Sequence, residues 1–439
     1  MQEDKLNWYT LDPIDLLLMR EAKPFSPGDG SWAKGQFPPL PITVFQAMRS
    51  ATKWIGDESD RDKKRDLKFI GPFLLHAPPG KPENLWLPTP QDLVCVTPRK
   101  TAAEDSRGGE PEEDFTATAT EWQRTARFQP LDPQNPAWED SGQYLGVDPH
   151  FFPEGQLAPM VPPMRLALGH DGEDDLNAYL RQIDAENWEV IAGSPDPWIR
   201  ADILGRYLQG EVIEKVASEE TVPCFHSNPW STQVLPHIKV QPGTRQVADE
   251  EGYFTEVAIR MDPHWHLVAG ISQKIDADIK VVRLGGEGHR VIVAPMERAP
   301  SGWEELQKWR SPQPGRETAY VLTPGLAEAT TDSELFSLIP ETWKPFLRSC
   351  VGDRPLLWGG MSVFQKRKKP GQKEENPKDV AFQPQRAFVP PGTVYRFQSG
   401  QVPAEFQTSE LSSQLLPQAD GNWLTTFQKL NYGILLWGQ

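Results

Sequence analysis

PPLPITVFQAMRSATKWI, residues 38–55, followed by LKFIGPFLLHAPP at 67–79 and NLWLPTPQDLVCV at 84–96, is the stretch on which the fold turns. In its first part Val44, Ala47, Met48, Ala51 and Ile55 recur at helical spacing behind a proline-rich start, with Thr43 placed as an N-cap. The two later segments are apolar runs broken by Pro and Gly, and their length suits strands. Upstream, residues 6–20 read as a strand interrupted at Asp12-Pro13. A strand, a helix and two strands in this order open a ferredoxin-like α+β unit.

The second half of the chain returns to strands. YFTEVAIRM (253–261) and WHLVAGI (265–271) are expected to pair across Asp262-Pro263, and KVVRL, HRVIVAP, TAYVLT, PLLWGGMSVF, TVYRF and YGILLWG follow with short connections. Between the halves, residues 99–165 hold the acidic AAEDSRGGEPEEDF and then a run without periodicity, which reads as a long insertion. DLNAYLRQIDAENW and WIRADILGRYLQ read as helices. The expectation is an α+β chain with two ferredoxin-like domains side by side. The N-terminal one spans 1–200 with the acidic insertion at about 99–165, and the C-terminal one spans 201–439 with a basic loop at 366–378.

Composition narrows the function classes. Forty-four prolines and 34 glycines in 439 residues favour short strands and loops over a helical bundle. Cys95, Cys224 and Cys350 are too scattered for a disulfide framework or a CxxC clamp. The start, MQEDKLNWYTLDPIDLLLMR, is acidic with a four-residue apolar run, so a reducing, cytoplasmic protein without signal or span is expected. A net charge of −16 argues against a phosphate-binding partner until it is divided by segment. Residues 101–200 carry 6 Lys+Arg against 20 Asp+Glu, which is −14 and leaves the rest nearly neutral.

No HExxH, Walker A or GGDD-type signature is present, and no cofactor or metal site is expected. His264 and His266 alternate on one strand face without a third ligand at a recognisable spacing, which favours packing or surface roles over a metal. LGGEGHRV, 284–291, sets Gly285, Gly286 and Gly288 among Arg283, His289 and Arg290. It is either a phosphate-approaching loop or an ordinary glycine turn. KRKKPGQKEENPK, 366–378, is either a solvated hairpin loop or, joined with Arg386, Phe388, Tyr395 and Arg396, a basic surface interleaved with aromatics. Single-stranded RNA prefers the second, with stacking worth about 1–3 kcal/mol per base. In LLLMREAKPFSPGDG, 16–30, Arg20 and Lys23 stand with Lys34 and Arg49 around a Pro/Gly loop that feeds a helix N-terminus. Surface pairing of Arg20 and Lys23 with Asp15 or Glu21 is the alternative.

Six segments taken in order carry a resemblance. They are DPIDLLLMREAKPF, FPPLPITVFQAMRS, FIGPFLLHAPP with LWLPTPQDL, LPHIKVQPGTRQVADEEGYFTEVAI, RLGGEGHRV and FVPPGTVYRF. Together they resemble the RAMP-type, guide-RNA 5′-handle-binding subunit of type III-B (Cmr) CRISPR-Cas effector complexes. The resemblance implies two ferredoxin-like domains in a non-catalytic scaffold that holds the repeat-derived 5′ handle of the crRNA in antiviral defence. The implied partners are the large polymerase/cyclase-like subunit and the backbone RAMP subunit of the filament, with nuclease and cyclase work left to other subunits. It carries over Arg20 with Lys23, Arg49 of the FQAMRS helix start, and Gly285, Gly286, Gly288 and Arg290 of the glycine loop. The turn Val389 to Tyr395 also matches, with Pro391 where the family has Ala, and Gln46 stands where it has Gly. Two rival roles are a metal-independent endoribonuclease using His237 or His289 as acid or base, and a docking module without RNA contact.

Overall fold

Strand Asn7–Pro13 runs unbroken through Asp12-Pro13, its interior slot supplying partners on both sides. The computed structural model describes residues 6–19, 32–33, 35–52, 67–98, 122–130, 157–158, 160–161, 166–167, 189–215, 222–238, 253–275, 279–286, 288–327, 337–365, 378–400, 402, 414–417 and 422–439. Within them the main sheet is antiparallel and eight-stranded. Its order is Phe225–His226, Trp198–Arg200, Asn84–Pro88, Phe69–His76, Trp265–Ile271, Asn7–Pro13, Arg290–Pro295 and Lys280–Arg283.

Helix Pro41–Ala51 begins on Pro41, whose missing amide costs nothing in a first turn. Leu40 precedes it, and the Thr43 amide donates to the Leu40 carbonyl at 2.9 Å, so Thr43 lies inside the helix and is not its cap. The helix buries Val44, Phe45, Ala47, Met48 and Ala51 against Tyr9, Leu11, Leu267, Ala269, Val291 and Val293. On the other face, Trp8, Ile70, Phe73 and Val268 meet helix Ala201–Leu208 and Trp303. Each fully buried Val, Leu, Ile, Phe or Met among them contributes about 1.5–3 kcal/mol.

Burial on both faces explains one departure from expectation. Trp265–Ile271 is apolar at nearly every position, which fits a central strand, and it lies between Asn7–Pro13 and Phe69–His76. Tyr253–Met261 pairs instead with Trp230–Ile238, and short Trp32–Ala33 joins that hairpin in parallel. Pro72, unable to donate to a ladder, falls where the register shifts between Val268 and Gly270. WIRADILGRYLQ divides into strand Trp198–Arg200 and helix Ala201–Leu208, while DLNAYLRQIDAENW lies outside the described residues.

A second antiparallel sheet is ordered Leu347–Val351, Val394–Phe397, Thr318–Val321, Leu435–Gly438, and helix Asn422–Lys429 precedes its last strand. Numbered by sequence, these strands lie in the order 2-3-1-4. The same order relates Phe69–His76, Trp265–Ile271, Asn7–Pro13 and Arg290–Pro295 at the centre of the large sheet. Few helices on several antiparallel sheets make the class α+β. Four strands of the large sheet precede residue 201 and four follow it, so a cut at 200/201 passes through the sheet. No helix among the described residues is long and apolar enough to cross a membrane.

Candidate functional site

Beyond Pro13 the chain leaves the large sheet and is held from three directions. Leu17 exchanges hydrogen bonds with Ile259 at 2.9 and 2.8 Å, the Gly286 amide donates to the Leu18 carbonyl at 2.8 Å, and the Gln36 amide donates to the Met19 carbonyl at 2.8 Å. Gly285 has φ +88°, and a Cβ there would stand 2.3 Å from the Leu18 oxygen, so both conformation and space require glycine. Four sequence segments therefore meet at one mouth: the strand end, the helix approach, the Tyr253–Met261 hairpin and the glycine loop. Arg20 follows Met19 directly.

Beneath this mouth lies Glu256, one percent exposed. Its Oε1 is 2.7 Å from His289 Nε2 and its Oε2 is 2.9 Å from His237 Nε2. A buried carboxylate needs partners: His289 Nε2 hydrogen-bonds to one oxygen, and His237 Nε2 lies within ion-pair distance of the other without hydrogen-bond geometry. The cluster ties the glycine loop to both hairpin strands. Glu256 was not among the residues singled out from sequence, although it shares the alternation of buried Ala258 and so points inward. Among the described residues no cluster of three His, Cys, Asp or Glu has the arrangement of a metal site.

The other sequence candidates are placed unevenly. Arg20, Lys23, Lys34 and the loop 366–377 lie outside the described residues. Arg49 is in the last turn of helix Pro41–Ala51, where its charge favours the helix C-terminus; it donates to Gln46 Oε1 and lies 5.6 Å from the Phe45 ring. Lys280 completes that end by donating to the Ala51 carbonyl at 2.7 Å. Arg283 and Arg290 face each other across adjacent strands. Because Val282, Val291 and Val293 pack beneath helix Pro41–Ala51, strand alternation turns both arginines to the opposite sheet face from that helix. His289 and Arg290 likewise point to opposite sides, so the arginine pair is not in the mouth.

Two candidates are corrected by burial. Tyr395 is in the core, with Trp343 edge-on at 5.2 Å and its hydroxyl donating to the Leu338 carbonyl; burial pushes its phenol up, and no ring face is open to a base. Arg386 is also buried, 5.2 Å from the Trp358 ring and 5.7 Å from the Phe427 ring, and burial pulls its guanidinium down. Its aromatic neighbours hold the cation within the protein. Of the glycines, Gly286 has its amide committed to Leu18, while Gly288, at φ +82°, has open space around its Cβ position. His264 sits in a turn with φ +66°, and His266 pairs with Asp12.

A second buried carboxylate joins the sheets. Asp92 accepts from Arg127 Nε at 3.0 Å and from the Tyr207 hydroxyl at 2.7 Å, and Arg127 Nη1 donates to the Gln439 carbonyl at 2.6 Å. Burial pulls the Arg127 guanidinium down, but Tyr207 and Asp92 together raise it above its ordinary value. Nearby, the Tyr320 hydroxyl donates to the Pro88 carbonyl at 2.6 Å and the Gln91 amide to the Gly392 carbonyl at 2.9 Å. The LWLPTPQDL and FVPPGTVYRF segments thus meet at this seam. Arg127, within the segment read as an insertion, belongs to the framework.

A match along the chain names the family. Residues 9–127 and 176–439 match the family CRISPR-associated protein (Cas_Cmr3), and the chain belongs to that family. It is a Cmr3-type CRISPR-associated protein. Among solved structures, a cryo-EM structure of the Type III-B Cmr-beta bound to cognate target RNA is similar over 98% of this chain and 96% of that one, at 12% identity and a TM-score of 0.38. The same assembly with AMPPnP, state 1, gives 98% and 95%, 11% identity and 0.40. A crystal structure of a Csm1-Csm4 cassette in complex with pppApA gives 90% and 88%, 10% identity and 0.27. No curated protein matches the chain.

Proposed function

We propose that this chain is the non-catalytic subunit that holds the repeat-derived 5′ handle of the crRNA at the mouth, and that it docks the large polymerase/cyclase-like subunit and the backbone RAMP subunit. The observation that supports this reading is the convergence of the strand end, glycine loop and hairpin around Leu18, Gly286 and Glu256. Arg20, Lys23, Lys34 and Arg49 supply phosphate contacts, and the loop from Gly285 to His289 sets the rim. Two ferredoxin-like units underlie it, one around each 2-3-1-4 strand set, with the boundary in 296–317 rather than at 200.

The test is equilibrium binding of handle RNA by the assembled complex against salt. The folded Arg20→Ala, Lys23→Ala, Arg49→Ala triple variant is expected to bind more weakly, each lost contact lowering the salt slope by about 0.7. Unchanged affinity and slope would remove these residues from the site.

A second reading, a metal-independent endoribonuclease, draws on one observation: His237 and His289 meet on a single carboxylate. Repeat RNA incubated with the protein in EDTA is expected to stay intact. Specific cleavage that His289→Ala abolishes would replace the scaffold reading. Handle RNA that crosslinks only to other subunits would leave a docking module without RNA contact.

A further inference from the structure

The large sheet is covered unevenly. Helices Ala201–Leu208 and Trp303–Gln307 cover the outer face over its middle, but among the described residues nothing covers it at strands Arg290–Pro295 and Lys280–Arg283. There Ile279 is 66% exposed, Val281 51% and, just beyond the first strand, Ile14 55%. Val281 lies opposite half-buried Ile292, and Arg283 opposite Arg290. Like charges placed directly across strands repel, and among the described residues neither guanidinium has an ion-pair partner.

Strand Lys280–Arg283 is also an edge among the described residues. The Leu284 amide donates to the His289 carbonyl at 3.0 Å, so by antiparallel alternation the backbone amides and carbonyls of Val281 and Arg283 point out of the sheet. An edge needing only protection against pairing would carry charge at its outward positions. This one carries charge there only at its far end, Arg283, with exposed Ile279 and Val281 before it.

We propose that this edge and the face beside it dock an extended segment of a partner protein by strand addition, the segment being apolar at alternate positions and acidic at the end nearest Arg283 and Arg290. The two arginines give the charge complementarity, and aliphatic Ile and Val give pockets for side chains rather than the aromatic platforms that bases stack on. The proposal deepens the docking half of the proposed function by naming its surface, and it moves Arg283 and Arg290 from RNA to protein.

The experiment places p-benzoylphenylalanine at Val281 of the full chain and irradiates the assembled effector complex with its guide RNA. A crosslink to a protein segment carrying Asp or Glu within a few residues of the adduct is expected. In the same complex, Arg283→Glu with Arg290→Glu is expected to weaken subunit assembly by about 10–100-fold while handle-RNA binding stays unchanged, and Val281→Lys is expected to weaken assembly too. A crosslink to RNA, to a second copy of the chain or to nothing, or assembly indifferent to both variants, would overturn the proposal. Loss of RNA contact with the protein crosslink retained would instead defeat the handle reading and leave this one standing.

Discussion

Glu256 and Asp92 are buried to the same degree at junctions of distant segments, yet their partners differ. Asp92 meets an arginine and a tyrosine, Tyr207 itself fully enclosed, in a seam between two sheets. Glu256 meets two histidines that keep 19% and 37% of their side chains in solvent. Removing a partner from the first site strands a cation away from water. At the second the partners can turn outward and hydrate, so the seam is a fixed weld and the mouth an adjustable joint. The proposed handle site thus falls at the joint and not at the weld.

The largest test of that contrast is Asp92→Ala, which takes from Arg127 its carboxylate and leaves only Tyr207 and the Gln439 carbonyl, and is expected to cost about 3–5 kcal/mol in denaturant unfolding. A loss under about 1 kcal/mol would break the comparison at the seam. Next comes Gly285→Ala, expected to cost about 1–3 kcal/mol for the backbone conformation, with the clash on Leu18 adding to it and loosening handle binding. Glu256→Ala should cost about 1–3 kcal/mol and less than Asp92→Ala; an equal or greater loss would erase the difference between joint and weld. Gly288→Ala, with open space, should show only the left-handed penalty of about 1–2 kcal/mol and a stability above that of Gly285→Ala.

The smallest effect concerns pH. Burial first, and then His226, His264, His266 and Lys81, hold the His76 imidazole below its ordinary 6.5. The unfolded chain therefore takes up this proton before the folded one does, so stability is complete above about pH 6.5 and falls as pH drops below it. Unfolding midpoints measured from pH 7.5 to 5 should fall less steeply for His76→Gln than for the wild type. Parallel curves would show that His76 does not contribute.

The helix Pro41–Ala51 and the strands around it were legible because a 3.6-residue period and short apolar runs are local signals. The partner of Trp265–Ile271 was not, since burial on both faces erases alternation and nothing near the strand specifies a neighbour some 190 residues upstream at Phe69–His76. At the candidate site, the glycine loop and the strand end were visible as motifs, but Gly285 serves the approach to Leu18. Arg386 and Tyr395 look the same in sequence whether their neighbours stack on RNA or on one another, and here they face the interior. Asp92, Arg127 and Tyr207 lie 35 and 80 residues apart along the chain, a separation no spacing rule can bridge.

The measurement that bears most directly on the proposed function is crosslinking of 4-thiouridine-substituted handle RNA in the assembled complex, with adducts mapped by mass spectrometry. The account predicts adducts in residues 16–36, in the loop 284–289 and in the hairpin 230–261, and none at Val281. Adducts confined to other subunits, or to faces of this chain away from the mouth, would contradict it.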